Sequence, residues 1–363
     1  MGNVRDVTVA QLAEYDDIID VRSPAEYAED HIPGAISAPV LSNDERAEVG
    51  TLYTQVSPFE AKKRGAALIA RNIATHLETL FRDKPKQWRP LVYCWRGGQR
   101  SGAMSHILDQ VGWRTGKLEG GYKKYRRHVI TELEQLPAHL EFQVICGATG
   151  SGKSRLLQVL QQQEAQVLDL EQLAQHRGSL LGNLPDAPQP AQKMFETRLW
   201  NTLRHFDAGK PVFVEAESRK IGRLALPDAL LAKIRASSCI VIEAPLAARV
   251  GLLLEEYAHF LKDPALLAQQ LAPLTALHGH RVIEEWNAMA QRGDWSALVE
   301  ELLSRHYDPA YRRSTGTNFP QLARALILRT ESLDREQLLK VTAPLLQIQE
   351  ADTGSALGVT GTT

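Results

Sequence analysis

The sequence predicts an α/β fold: two α/β units in tandem, the second a P-loop α/β domain that ends in a helical C-terminal region. Short apolar runs alternate with helical patterns over residues 1–128. A second alternation starts at residue 141 and contains Gly147-Ala148-Thr149-Gly150-Ser151-Gly152-Lys153-Ser154, which satisfies the pattern G-x-x-x-x-G-K-[ST] in full. Strand–helix alternation of this kind argues for mainly parallel sheets.

In the first unit, Ile18-Ile19-Asp20-Val21 and Leu91-Val92-Tyr93-Cys94 read as short strands. Lys117-Leu118-Glu119-Gly120-Gly121 reads as a last strand running into a glycine turn. Residues 58–80 place apolar side chains at three- and four-residue spacing, which predicts a helix, and 101–111 predicts another. The basic, partly aromatic stretch Tyr122-Lys123-Lys124-Tyr125-Arg126-Arg127-His128 leads into a linker over 129–140. The second unit, 141–245, opens on the strand Phe142-Gln143-Val144-Ile145-Cys146, with further strands expected at 166–170, 211–215 and 239–243. Residues 246–350, rich in Ala, Leu and Glu, predict a mostly helical region completing this domain. The tail, 351–363, lacks periodicity and is expected to be disordered.

Net charge over the 363 residues is −1. Any contact with nucleic acid must therefore come from local patches, with Arg126, Arg127, Arg219, Arg312 and Arg313 as candidates. Cys94, Cys146 and Cys239 form no Cys-x-x-Cys pair. That argues against a disulfide framework and a structural zinc site, and fits a reducing compartment. The N-terminus shows no signal-peptide h-region, and no apolar run approaches the roughly 20 residues that span a bilayer. The expected location is the cytoplasm, with no membrane partner.

Cys94 opens the loop Cys94-Trp95-Arg96-Gly97-Gly98-Gln99-Arg100-Ser101 between a strand and a helix. That placement aims backbone N–H groups and the positive end of a helix at one sulfur, which favours the nucleophilic thiolate. Gly97 and Gly98 let the backbone curl, and Arg100 is expected to close the rim. Such a site suits a persulfide or selenenyl sulfide, whereas Cys146 and Cys239 lie in apolar strand patterns and read as structural. The first 125 residues resemble the rhodanese family of sulfurtransferases. The resemblance rests on Asp20-Val21-Arg22-Ser23-Pro24-Ala25-Glu26-Tyr27, His31-Ile32-Pro33-Gly34-Ala35-Ile36, the Cys94 loop, and Leu118-Glu119-Gly120-Gly121-Tyr122. It implies a rhodanese-like domain with Cys94 as its catalytic residue and structural roles for Asp20 and Arg22.

The second cradle follows a strand and precedes a helix, the context that its pattern requires. Its N–H groups are expected to hold a diphosphate, Lys153 to reach the outer oxygens, and Ser154 to suit Mg²⁺, although no metal site is firmly assigned. Glu215 ends an apolar strand, and Glu217 follows it. Both are candidates for metal or proton work, with Asp169 and Glu171 as weaker ones. Arg177, within His176-Arg177-Gly178-Ser179, is a candidate for phosphate or nucleotide, although a His-Arg pair more often marks solvated surface. Near the C-terminus, Tyr307, Tyr311, Arg312 and Arg313 combine charge with stacking surface, which suits RNA.

Further strings extend the resemblance over nearly the whole chain apart from the tail. They are Asn43-Asp44-Glu45-Arg46-Ala47-Glu48-Val49-Gly50-Thr51, Leu170-Glu171, Glu217-Ser218-Arg219 with Ile221-Gly222, and Tyr307-Asp308-Pro309 with Tyr311. With the Cys94 loop they are similar to the tRNA 2-selenouridine synthase family. The resemblance implies S-geranylation of a wobble 2-thiouridine in tRNA from geranyl diphosphate, then replacement of the geranylthio group by selenium from selenophosphate. It implies tRNA and a selenophosphate-supplying enzyme as partners and no tightly bound cofactor. The geranyl groove is expected among the leucines of residues 252–274. Two rivals stay open: a sulfurtransferase with a regulatory P-loop domain, and a P-loop kinase or NTPase carrying an inactive rhodanese module.

Overall fold

The computed structural model describes residues 4–185 and 187–355. Its strands are β1 (Arg5–Val7), β2 (Asp17–Asp20), β3 (Ile36–Ser37), β4 (Pro90–Tyr93), β5 (Gly116–Leu118), β6 (Phe142–Cys146), β7 (Gln166–Leu168), β8 (Val212–Glu215), β9 (Lys220–Ile221), β10 (Leu224–Ala225), β11 (Ser238–Glu243) and β12 (Leu326–Arg329). Two compact units form. One runs to Leu133 and also takes in Pro190–Asn201; the other takes in Glu134–Gln189 and continues from Thr202.

The first unit holds a five-stranded parallel sheet in the order β1-β5-β4-β2-β3. All four residues of β4 are buried, as expected of a strand covered on both faces. Helix Pro58–Glu78 starts at Ser57, whose side chain accepts from the Phe59 amide, and buries Ala61, Gly65, Leu68 and Ile73 along one stripe. Helix Gln99–Val111 buries Met104 and Leu108 and stops at Gly112, whose φ of +105° only glycine adopts readily.

This unit departs from the linear domain reading in two ways. The stretch given to a linker is helix: Gly121–Gln135 is continuous, with Val129 and Leu133 packed into the core, and a short 3₁₀ turn follows. Pro190–Asn201 also belongs here rather than with the P-loop domain. Its helix, Gln192–Leu203, sends Thr197 to Asp30 at 3.0 Å, Lys193 to Glu29 at 2.7 Å and Trp200 to Glu132 at 2.5 Å. These partners lie too far apart in sequence for any local pattern to pair them.

The second unit holds a five-stranded parallel sheet in the order β12-β11-β6-β8-β7, with β9 and β10 as a separate antiparallel pair. Its core joins Ile145, Leu156, Leu160, Phe213, Ile240, Ile242 and Leu338. β6 lies between β8 and β11, and the loops leaving the carboxyl ends of parallel strands at such a switch point bind ligands. The region 246–350 is mostly helical but supplies β12, which pairs with β11 along Ile240 to Glu243. Leu326 and Ile327 in this edge strand stay exposed, so its Leu-Ile-Leu run shows no alternation that would separate it from helix. The tail differs in part: helix Arg335–Ser355 continues through 351–355, and residues 356–363 lie outside the described residues. No helix among the described residues is long and apolar enough to cross a membrane.

Asp20 and Arg22 do structural work in the first unit. Their side chains form a buried ion pair at 2.6 Å, and Arg22 also donates to the Asp30 carbonyl at 2.6 Å. The Tyr93 hydroxyl donates to Asp20 at 2.7 Å, and the Arg22 guanidinium lies 4.0 Å over the Tyr122 ring. Removing one partner strands the other charge in the core. Asp20→Ala is therefore expected to cost about 3–5 kcal/mol, read as a lower denaturant midpoint for this unit.

Candidate active sites

Cys94 leaves the carboxyl end of β4, and the backbone of a later turn holds its loop. The Tyr122 amide donates to the Cys94 carbonyl at 2.8 Å and the Lys123 amide to the Trp95 carbonyl at 3.0 Å. Gly121, at φ +58°, stands where any Cβ would overlap the Cys94 carbonyl oxygen. A Cβ on Gly97, at φ +68°, would meet the Leu118 oxygen at 2.9 Å. Both glycines are needed because two backbone segments pass each other with no space for side chains.

The thiol is buried, 3.2 Å from Ser101 Oγ, and Ser101 lies in the first turn of helix Gln99–Val111. The sulfur thus sits beside the positive end of that helix. Trp95 packs 5.3 Å from the Tyr122 ring, while Arg96, Gly98 and Gln99 are exposed around the loop. Arg100 departs from expectation. Rather than closing the rim, its guanidinium binds Glu26 at 2.8 Å, where Arg46 also binds at 3.1 Å. Burial alone raises the Glu26 carboxyl; Arg100, the Ser23 amide and Arg46 more than reverse that and bring it to about 2.

The P-loop joins β6 to helix Lys153–Gln162. Gly147 leaves room for the Ser151 hydroxyl, and a Cβ on Gly150, at φ +76°, would meet Leu253 Cδ1 at 2.9 Å. Lys153 Nζ donates to the Gly147 carbonyl at 3.0 Å. A carboxylate cluster adjoins the loop. One oxygen each from Glu171, Glu215 and Glu217 lies within 4.8 Å of the others. Glu215 is fully buried and neither of its oxygens has a hydrogen-bond partner, the Ser154 hydroxyl being 3.2 Å from Glu171 instead. Burial, then repulsion from Glu215 and Glu217, pushes Glu171 up to about 10. Burial pushes Glu215 up to about 8 against the pull of Lys153, and Glu217 is raised for the same reason. Such a cluster is held by shared protons or by a cation, and its all-oxygen donor set suits a hard divalent ion such as Mg²⁺. Asp169 lines the same cavity and its charge adds to the upward push on all three glutamates, while its carboxylate accepts from the Gln172 amide at 2.8 Å and caps helix Leu170–Ala174.

The loop after that helix closes one side of the cluster. A Cβ on Gly178 would come 2.7 Å from Glu171 Oε1 and 2.8 Å from Glu217 Oε1. His176 is buried rather than solvated, and its Nδ1 accepts from the Gly178 amide at 3.1 Å. Arg177 donates to the Glu256 carbonyl and lies 5.0 Å over the Tyr257 ring. Sequence reasoning missed Arg249. Its guanidinium donates to the Thr149 carbonyl at 2.8 and 2.9 Å and binds Asp308 at 2.6 Å. No local signal could reveal a partner 100 residues away. Tyr307 and Tyr311, on either side of Asp308-Pro309, line the P-loop cavity, whereas Arg312 and Arg313 are exposed. Arg219 is exposed and paired with Asp228 at 2.7 Å.

Two family models match the chain: a rhodanese-like domain over residues 6–128 and a tRNA 2-selenouridine synthase AAA domain over 140–292. The tRNA 2-selenouridine synthase of Aeromonas salmonicida is 32% identical over 328 residues, which cover 82% of this chain and 87% of that protein. The chain belongs to the tRNA 2-selenouridine synthase family. The Shewanella halifaxensis relative is 33% identical, covering 81% of this chain and 87% of its own length. The Nitrosomonas europaea relative is 37% identical over 70% of this chain; the match spans 66% of that protein, just under two thirds. The Cys94 loop falls in the first matched stretch and the P-loop with its carboxylates in the second. The Asp308 region lies beyond both.

The cluster makes stability depend on pH. Glu215 titrates higher in the folded chain than in the unfolded one, so its contribution is complete below about 4.5 and is lost as pH rises through about 8. In metal-free buffer, the stability of Glu215→Gln relative to wild type is expected to increase from pH 5 to pH 8 and then level off. Thermal melts of both proteins across that range check this; parallel curves would show that Glu215 is already ionised at pH 5.

Proposed function

We propose that this chain converts 2-thiouridine at the wobble position of tRNA into 2-selenouridine, in two steps divided between its two cradles. The carrying observation is the P-loop with its buried carboxylate cluster, in one chain with a Cys loop built of close backbone contacts. In the first step the uridine sulfur attacks the first carbon of geranyl diphosphate, a C–S bond forms, and the C–O bond to diphosphate breaks. The P-loop N–H groups and Lys153 stabilise the departing anion. Mg²⁺ held by Ser154 and the glutamates would offset further charge on that diphosphate.

In the second step the selenium of selenophosphate adds at C2, the C–S bond breaks so that the geranylthio group leaves as its thiol, and water then cleaves the Se–P bond to release phosphate. Alkylation makes that replacement feasible, because an alkylated sulfur leaves as a thiol whereas a thiocarbonyl sulfur is a poor leaving group. Cys94 positions the selenium donor for that addition. The base must leave its stack to react. Exposed Arg127, Arg312 and Arg313 remain the candidates for the RNA backbone, while Arg126 is engaged by Glu196.

Nucleoside mass spectrometry on a 2-thiouridine tRNA tests this, with geranyl diphosphate added first and selenophosphate second. Wild type should yield geranylated, then selenated uridine. Cys94→Ala should stop before selenation, and Lys153→Ala should slow geranylation by about 10²–10³. Unchanged 2-thiouridine under every condition would sink the proposal and favour a sulfurtransferase with a regulatory P-loop domain.

A further inference from the structure

We propose that Arg249 and Asp308 form a positioning pair that holds the Thr149–Gly150 peptide of the P-loop from behind and keeps the Gly150 amide aimed at the bound diphosphate. This rests on the diphosphate reading above and names the residues that keep its cradle in shape.

A P-loop binds through backbone amides, so its affinity depends on which way each peptide plane faces. Glycine leaves that direction poorly fixed, because a residue without Cβ adopts many backbone conformations. Something outside the loop must set the planes, and at Thr149 that support is visible. Nε and one terminal nitrogen of Arg249 donate to the Thr149 carbonyl at 2.9 and 2.8 Å. In a planar trans peptide the carbonyl and the N–H that follows it point in opposite directions. A carbonyl held by Arg249 therefore turns the Gly150 amide away from that side chain. Thr149 and Gly150 line the phosphate-side cavity, whereas Arg249 is buried outside its lining. The guanidinium thus stands behind the loop rather than in the space of the ligand.

The same guanidinium closes on Asp308. Its terminal nitrogens donate to the two carboxylate oxygens at 2.6 and 3.1 Å. With one face of the fork on the carbonyl and another on the carboxylate, the group cannot swing without breaking both sets of bonds. Asp308 also supplies the negative charge that a buried guanidinium requires. Lysine at this position would carry the charge but not the planar fork.

The pair ties the loop to two helices. Arg249 lies in the first turn of helix Leu246–Glu256, and a Cβ on Gly150 would come 3.1 Å from the Arg249 carbonyl oxygen. Asp308 opens helix Asp308–Asn318, immediately before Pro309. The Tyr307-Asp308-Pro309 string thereby gains a task at the P-loop, although it lies beyond the AAA-domain match, which ends at residue 292.

Calorimetric titration of the full chain with inorganic pyrophosphate and Mg²⁺ tests the pair, with a thermal melt of each variant to check folding. Arg249→Met should weaken pyrophosphate binding by about tenfold or more. Arg249→Lys should recover little of that loss. Asp308→Asn, the mildest change, should weaken binding in the wild-type background and change nothing in Arg249→Met, because a pair acting as a unit is lost only once. Should the methionine variant not fold, the lysine and asparagine variants carry the test, each binding more weakly than wild type. A second readout follows the peptide itself. Isotope labelling of glycine nitrogen and threonine carbonyl carbon selects Thr–Gly peptides in an NMR spectrum. The Gly150 amide should shift when wild type is saturated with pyrophosphate, and shift much less in Arg249→Met at equal saturation. Wild-type affinity in folded Arg249→Met, full rescue by lysine, or additive effects of the two substitutions would overturn the pair and leave the diphosphate reading standing. Failure of the wild type to bind pyrophosphate would overturn the diphosphate reading and, with it, the role of the pair.

Discussion

Three carboxyl groups within 4.8 Å, one of them with both oxygens buried and unpartnered, form a constraint that organises the second unit. Charges of one sign cannot share a low-dielectric space without protons or a counter-ion. Every element around the cluster fits that demand. The carboxyl end of β8 delivers Glu215, the loop beyond it Glu217, and helix Leu170–Ala174 Glu171. Gly178 exists as glycine because two of these carboxylates occupy the space of its side chain. The Lys153 ammonium pulls all three glutamates downward.

The first unit solves a different problem. Its sulfur lies 3.2 Å from Ser101 Oγ at the start of a helix, and the loop that carries it is held by bringing the backbone at Gly97 and Gly121 closer than side chains permit. Rigidity comes from beneath, through Asp20, Arg22, Tyr93 and Tyr122, and from the side, through Arg100 on Glu26. A loop held in this way keeps its geometry through fixed backbone contacts rather than through side chains that could swing away.

Arginines that look alike in a basic stretch have different jobs. Arg22, Arg100 and Arg249 serve as internal struts, and Arg126 is paired with Glu196. Most lysines and arginines nonetheless stay exposed, Arg127, Arg312 and Arg313 among them. A net charge of −1 does not exclude tRNA binding, because contact with a phosphate backbone depends on where exposed cations gather and not on the sum over the chain.

The two cradles were legible because their requirements are local. A loop that turns its amides toward one anion needs glycine at fixed spacings between a strand and a helix, and those spacings are written consecutively along the chain. The central strands and the helices after both loops were legible for the same reason. Edge strand β12, the helix through residues 129–135 and the docking of Pro190–Asn201 on the first unit were not. Each depends on which surface happens to be adjacent. Arg249 on Thr149 and Asp308, Arg100 on Glu26, and buried His176 belong to this second kind. Their side chains are ordinary by type, and only packing of distant segments decides whether an arginine meets water, a carboxylate or the carbonyl of a phosphate loop.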